Sequence, residues 1–401
     1  MIHRHRPYVD SSDILAALRP GAGREEFESA AAACVGARYA LAFAYGHSGL
    51  IASFRALGLT EVDVVLPAYT CTVVADAVVA CGNRPVFVDI DLADYNMRLD
   101  AMEAALTPQT RAIIATHMYG YPTDVDAIRD VAGDERVLIV EDSALRLRRF
   151  SPGTGGLRGD VGLFSFGHAK HLFTVQGGII ATNSAELYER IRAHRDQEMA
   201  HLPAALWAKR WLQLLLSGMP FAKSALHELR DRTQEMTAAG RASSDPNSLS
   251  TLVEPDHDTA YADFQARVGL CQLRKLGTVL NRRQELVECY NRELCDVPGL
   301  TPAPVVPDAT YSHYTVRVAG RDEIDFVHRM ESKGVEVGQV YDHVLPFRKR
   351  FRPYARDRYP NTEQATREVV NLPVHPRVTS AEAQYIAASA RDILERVGLR
   401  L

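Results

Sequence analysis

This chain lacks a basic surplus. Its 46 lysines and arginines are outnumbered by 50 aspartates and glutamates, for a formal net charge of -4. A nucleic-acid footprint needs a positive excess, so that class of partner is set aside. The six cysteines (Cys34, Cys71, Cys81, Cys271, Cys289 and Cys295) include no CxxC pair. That removes the usual spacing of a zinc site and of a disulfide framework, so no metal is expected and the thiols read as reduced. No apolar run reaches the roughly 18 residues of a membrane span. The opening MIHRHRPYVD has no apolar stretch and does not read as a signal peptide. There is no internal repeat and no low-complexity tract. These absences point to a soluble, cytoplasmic protein. What is present is length and apolar content: 401 residues, 46% of them hydrophobic, enough for two domains with a large core.

From about residue 25 to 185, helix-like and strand-like segments alternate. Helices are expected at 25–35, 50–57, 72–80, 99–106 and 125–131. Strands are expected at 38–44, 62–66, 84–89, 111–116 and 137–140. Short apolar strands spaced by amphipathic helices predict an α/β fold with a mainly parallel sheet covered on both faces. Ligands of such sheets bind at the carboxyl ends of the strands. The residues to watch therefore follow the strands: Gly46 and His47, Tyr69 to Cys71, His117 and Tyr119, and Asp142. Residues 185–235 read as helical and 240–258 as a polar loop. A long helix is expected over 261–295. The remainder is α+β, with strands at 314–318 and around 335–340 and helices at 323–333 and 381–397. The expected division is a large domain over 1–280, with a helical insertion at about 200–258, and a small domain over 281–401.

Three features arrive in order. A Gly turn, Tyr45-Gly46-His47, opens a helix. Asp142 caps an apolar strand. Lys170 follows Phe164-Ser165-Phe166-Gly167-His168-Ala169 and sits among apolar residues. A helix N-terminus with free N–H groups suits a phosphate. A buried carboxylate suits a protonated pyridine nitrogen. A desolvated lysine suits imine formation and proton transfer. Gly177-Gly178 lets the backbone turn tightly after the lysine. Taken singly, each has an ordinary reading as a turn, a cap or a surface charge.

As an ordered set they resemble a known family, the DegT/DnrJ/EryC1/StrS sugar aminotransferases. The stretches that carry it are VDVVLPAYTCTVVADAVVACGNRPVFVDID, TRAIIATHMYGYPTDVDAI, LIVEDSA and FSFGHAKHLFTVQGGIIATN, with weaker support from ARVGLCQLRKL and VVNLPVHPRVT. The likeness runs from about residue 35 to the C-terminus, apart from roughly 200–258. It implies the fold type I architecture of pyridoxal-phosphate enzymes: a mainly parallel seven-stranded sheet flanked by helices, plus a smaller α+β C-terminal domain. It also implies a homodimer and a ping-pong reaction through pyridoxamine phosphate. The amino donor would be L-glutamate, and the acceptor a nucleotide-linked keto-sugar or a keto-cyclitol. Lys170 would form the imine with pyridoxal 5'-phosphate and Asp142 would partner its ring nitrogen. Ser165, with the Gly46-His47 backbone, would take the phosphate. Ala144 would lie under the ring. Cys71 stands where the family places an aromatic residue over the ring, and Tyr69 could compensate. Lys170 argues against a dehydratase, and the pair Lys170 and Asp142 against a non-catalytic relative. The roughly 25 residues ahead of the first expected helix leave no room for a DNA-binding domain.

The departures concern substrate choice. Leu145 replaces the usual partner of the ring oxygen. Gln176-Gly177-Gly178 replaces Glu-Gly-Gly, and Asp258-Thr259-Ala260 replaces Asn-x-Arg. Four further features have two readings each. His168 and His171 flank the lysine as structural or functional histidines. His343 lies in a loop that closes on substrate in this family. Arg146, Arg148 and Arg149 form either a solvated turn or a diphosphate contact. Trp207, Trp211, Leu214 and Leu215, in the 202–235 segment, share a helical face that covers the protein body or docks peripherally on a membrane or carrier.

Overall fold

Short β-branched runs bounded by Pro, Gly and Asp form the strands of the large sheet. In the computed structural model all residues are described except 22, 152–155, 219–252, 319–322, 357 and 399–401. The strands are β1 (Tyr39–Phe43), β2 (Asp63–Pro67), β3 (Arg84–Val88), β4 (Thr110–Thr116), β5 (Leu138–Asp142), β6 (Val161–Ser165) and β7 (Gly178–Thr182). Their order is β1-β7-β6-β5-β4-β2-β3. Only β7 runs against its neighbours. The carboxyl ends of the other six therefore share one edge, and β7 starts there. Most strand side chains are buried on both faces, as a sheet covered by helices on each side requires.

The helices that matter to the site follow from local signals. Among the described residues they are α1 (Ser11–Leu18), α2 (Arg24–Val35), α3 (Gly46–Ala56), α4 (Thr72–Ala80), α5 (Leu99–Glu103), α6 (Val125–Ala132), α7 (Ala185–Glu198), α8 (Ala204–Ser217), α9 (Asp263–Leu294), α10 (Glu323–Ser332), α11 (Pro360–Glu368) and α12 (Ser380–Gly398). A second sheet, β10-β9-β8, is antiparallel, with β8 at Leu300–Thr301, β9 at Tyr314–Val318 and β10 at Val369–Leu372. α9 joins the two sheets. Leu273 and Leu276 pack with β1 and β7, while Leu286 and Leu294 pack with β9 and β10.

The α/β class and the parallel sheet are as expected, and three local readings are corrected. Ser11–Leu18 is helical, held by a capping box in which Asp10 accepts from Ser12 N at 2.9 Å and Asp13 from Asp10 N at 2.9 Å. The strand expected around 335–340 makes only isolated bridges, Val335 with Ile2 and Gly338 with Asn371. Gly338, at φ 158°, breaks the extended run. The helical reading of 185–235 is interrupted at Pro203 between α7 and α8, and its last part, 219–235, lies outside the described residues. So does 240–252 of the expected loop.

α8 splits the face read from its sequence. Leu214 is fully buried and the Trp211 ring stacks on Phe264, with centroids 5.1 Å apart. Trp207 and Leu215 remain 46% and 39% exposed. No helix among the described residues is long and apolar enough to cross a membrane.

Candidate functional site

The shared strand edge gathers the expected residues. Register places Phe43, Gly178 and Ser165 side by side on β1, β7 and β6. Two residues after β1 the chain enters α3 at Gly46. Tyr45 caps α3 without a side-chain hydrogen bond, so the first-turn amides face outward unserved by the cap. A Cβ placed on Gly46 would lie 3.6 Å from the Ser165 Cβ, which puts the helix N-terminus directly against Ser165. The hydroxyls of Ser48 and Thr70 are buried without a hydrogen-bond partner among the described residues. His47 is held from the side: its Nε2 lies 2.9 Å from Glu254 Oε2, and its ring stacks on Tyr45 at 5.0 Å.

Two glycines make this approach possible. A Cβ on Gly178 would sit 2.5 Å from the Phe164 carbonyl oxygen and 2.6 Å from Gly46 Cα. Gly177 has φ 139°, and a Cβ there would meet the Tyr261 ring at 2.5 Å. Gly178→Ala is expected to cost about 1–3 kcal/mol of stability by overpacking, read as a lower denaturant midpoint. It also displaces the first turn of α3 from Ser165.

Asp142 and Glu141 end β5 and point to opposite faces. Glu141 accepts from the backbone of Arg158, at 2.5 Å, and of Gly159, and lies 3.2 Å from His117 Nε2. His117 Nδ1 accepts from Thr123 N at 2.9 Å, so the ring proton sits on Nε2 and is donated to Glu141. Asp142, buried, accepts from Ala144 N at 3.1 Å. Burial pushes the Asp142 carboxyl above the usual carboxylate range; Ala144, Lys170 and His117 pull it back in part.

Lys170 closes the group. It keeps some accessible surface, as a side chain facing a cleft does, yet burial still lowers its amine below the ordinary lysine range. Cys71 and Asp142 counter that shift, so both lie within electrostatic reach of the amine. Cys71, Ala144, Ser165 and Lys170 are all half-buried at an edge where most neighbours are fully buried. Tyr69 is buried, donating or accepting at Tyr119 Oη at 2.7 Å, and its ring packs edge-on to Tyr341 at 5.3 Å.

The other sequence candidates separate. His171 bonds the Thr310 carbonyl at 2.9 Å. His343 lies 2.6 Å from Asp342 and 3.5 Å from Thr72 at the start of α4. Arg148 pairs with Asp308, and Arg149, though exposed, donates to the Leu273 carbonyl at 2.8 Å, so both contact other parts of the chain. Leu145 is buried in the tyrosine-rich cluster. The Asp258-Thr259-Ala260 stretch is bridged to Ala200. Reading the sequence missed Arg4, His5, Arg283 and His313, which gather near Lys170 and His171, and Tyr341, which packs against Tyr69 and Tyr119. The signal was the His-Arg-His-Arg run at 3–6, unusual in an acidic chain. Among the described residues no cluster of His, Cys, Asp and Glu has the arrangement of a metal site.

Residues 10–391 match the model of the DegT/DnrJ/EryC1/StrS aminotransferase family, so the likeness extends further toward the N-terminus than residue 35. The chain is 29% identical over 363 residues to a dTDP-4-dehydro-2,3,6-trideoxy-D-glucose 4-aminotransferase of Saccharopolyspora spinosa, covering 87% of this chain and 83% of that protein. It is 28% identical over 385 residues to a GDP-perosamine synthase of Caulobacter vibrioides, covering 92% and 89%. Among solved structures, the aminotransferase TlmJ from Streptoalloteichus hindustanus superposes with a TM-score of 0.78 at 26% identity, covering 99% of this chain and all of that one.

Proposed function

Because the chain belongs to the DegT/DnrJ/EryC1/StrS aminotransferase family, we propose that it moves an amino group from L-glutamate to the keto group of a nucleotide-linked sugar or a related keto-cyclitol, with pyridoxal 5'-phosphate as cofactor. One observation carries the reading. A cleft-facing amine, a desolvated carboxylate and an uncapped helix N-terminus meet at one edge of the sheet. The names of the two relatives, both built on nucleotide-linked sugars, support the acceptor class.

The residues present fit the cofactor. The unserved first turn of α3, the buried Ser48 and Thr70 hydroxyls and the adjoining Ser165 offer donors to a phosphate. When bound, pyridoxal phosphate supplies an aldehyde for a lysine and a ring that accepts the electrons released at the substrate carbon. Ala144 N, Lys170 and His117 favour the charged form of Asp142 against its burial, and that carboxylate would hold a ring proton in place. Lys170, shifted toward its neutral form, is suited to take and return a proton at the reacting carbon. Cys71, Tyr69 and Ala144 are proposed to bound the ring.

We propose further that the chain divides near residue 280 and acts as a homodimer in the cytoplasm. The six cysteines are all free, which suits a reducing compartment. An absorption spectrum tests the central claim. Purified protein is expected to show a band at the visible edge that shifts on adding L-glutamate. Protein that stays colourless after incubation with pyridoxal phosphate would overturn the proposal.

A further inference from the structure

The side of Lys170 away from the α3 turn is built from cationic and imidazole groups. His171, next in sequence, bonds the Thr310 carbonyl at 2.9 Å. His313, three residues beyond Thr310, is buried with its ring 5.7 Å from Tyr119 and edge-on to the His5 ring at 5.0 Å. Arg283 from α9 lies alongside and is 4% exposed. One of its nitrogens donates to the carbonyls of Tyr311, at 3.1 Å, and Ser312, at 2.7 Å, while its Nε has no hydrogen-bond partner among the described residues.

The N-terminal segment completes the group. Ile2 N donates to the Gly334 carbonyl at 2.7 Å and Ile2 O accepts from Glu336 N at 2.8 Å. His375 donates to the His3 carbonyl at 3.0 Å, and Arg377 to the Pro7 carbonyl at 3.2 Å. Pinned at both ends, the segment delivers Arg4 and His5, both half-buried, to the cluster. Arg4 donates to the Gln339 carbonyl at 3.0 Å, and its Nε is buried without a partner among the described residues. Among the described residues, Glu336 is the one carboxylate that bears on Arg4, and it also lies 2.8 Å from His3 Nδ1; burial alone acts on Arg283.

Burying guanidinium groups with so little opposing charge is costly, and desolvation alone pulls Arg283 down to about 10. An anionic ligand offsets such a cost. The chain of contacts leading away from the reacting amine decides which anion: His171 follows Lys170 and bonds the Thr310 carbonyl, His313 lies three residues beyond, and the His5 ring packs on the His313 ring at 5.0 Å. Arg4 and His5 are thus one layer further out than His313. An amino acid with its nitrogen at Lys170 carries its α-carboxylate close by and a side-chain carboxylate in that outer layer.

We propose that Arg4 and His5, backed by Arg283 and His313, bind the side-chain carboxylate of a dicarboxylic amino donor. This rests on the aminotransferase reading above and makes the N-terminal segment the determinant of donor choice.

Binding of glutarate and of butyrate to the purified protein, with and without added cofactor, tests it by calorimetry. Wild-type protein is expected to prefer glutarate. Arg4→Gln should weaken glutarate about tenfold or more, the order of one charge-assisted contact, and leave butyrate unchanged. Arg4→Lys should recover part of the loss, and His5→Gln should give a smaller loss in the same direction. Turnover with L-glutamate should suffer in KM rather than kcat. Melting temperatures identify a variant in which the segment has come loose, and His5→Gln then carries the test. Equal binding of the two acids by wild-type protein overturns the proposal, as does an equal loss of both in Arg4→Gln. A loss confined to a nucleoside diphosphate assigns the cluster to the acceptor and also overturns it. If L-glutamate shifts the cofactor band equally well in wild type and Arg4→Gln, this inference falls and the aminotransferase reading stands. If no amino acid shifts the band in wild type, the aminotransferase reading itself falls.

Discussion

Lys170→Ala is expected to abolish amino transfer, lowering kcat by about 10²–10⁴-fold or more. Two losses combine. The first is the nucleophile and proton carrier itself, which no neighbouring group replaces: His171 is committed to the Thr310 carbonyl, and burial with the Arg283 charge holds its ring down to about 3. The second is electrostatic. Lys170 is one of the groups that pull the Asp142 carboxyl back toward its ionised form. Without it, burial is opposed only by Ala144 N and His117, and Asp142 holds its proton to higher pH. Lys170→Arg separates the two, because it restores a cation near Asp142 without a transferable proton or a reactive amine. Activity should be absent in both variants, whereas the affinity for pyridoxal phosphate should fall further in the alanine variant. The amine's lowered pKa gives a pH test in wild-type protein. The neutral fraction of Lys170 grows as pH rises, so loading of cofactor into cofactor-free protein should speed up through a titration centred below 10.5, the ordinary value for lysine. A variant that retains wild-type turnover without Lys170 would remove this residue from the chemistry.

The sheet was legible because its signals are local and periodic. Strands such as β2 and β5 are short apolar runs closed by Pro67 and Asp142, and the carboxyl-edge rule singles out the residues at or just past their ends. Gly46, Asp142 and Lys170 were readable as an ordered set for the same reason: Asp142 ends a strand, and Gly46 and Lys170 lie three and five residues past one. What was not legible depends on contacts between distant parts of the chain. The 335–340 run reads as a strand by composition, but its partners are residue 2 and residue 371, and Gly338 limits it to single bridges. The His-Arg-His-Arg start carries no local structural signal, and its place is set by distant contacts with Gly334, Glu336 and His375. The three arginines after Asp142 read as one basic patch. Arg148 and Arg149 in fact leave in different directions, to Asp308 and to the Leu273 carbonyl of α9. Capping at α1 was available in Asp10-Ser-Ser-Asp13 and was passed over, because the segment lacks the apolar periodicity that marks longer helices.

Arg210→Ala is expected to destabilise the protein by about 3–5 kcal/mol, the range for breaking a buried ion pair by removing one partner. Arg210 is 1% exposed and joins both walls of the cleft. On one side it donates to Asp256 at 2.9 Å and Thr259 at 3.0 Å, and Asp256 accepts from the Tyr45 hydroxyl at 2.8 Å beside the α3 turn. On the other it donates to Gln265 Oε1 at 3.3 Å. The Gln265 amide in turn holds the carbonyls of Thr174, at 2.9 Å, and Gln176, at 2.8 Å. Between those two carbonyls Val175 has φ 74°, a left-handed conformation that a β-branched residue adopts only under constraint. Losing Arg210 therefore leaves the half-buried Asp256 without its cation and loosens the loop five residues past Lys170. The pH dependence identifies the mechanism. Burial pushes the Asp256 carboxyl up, but hydrogen bonds from Tyr45 and Arg210 outweigh it and hold the folded-state pKa below its ordinary value. A carboxylate with a depressed folded pKa stabilises the protein above its unfolded pKa, about 3.9, and that contribution disappears as pH falls through the folded value. In Arg210→Ala the folded pKa rises toward the unfolded value, so the acid-linked loss is smaller than in wild type and is complete at higher pH. Arg210→Lys should recover the charge but not the forked contacts to Asp256, Thr259 and Gln265, and so only part of the stability. Denaturant midpoints measured from pH 3 to pH 7 on the three proteins check this. Parallel stability curves across that range would show that Arg210 acts by packing alone, and that the pair with Asp256 does not link the two walls of the cleft.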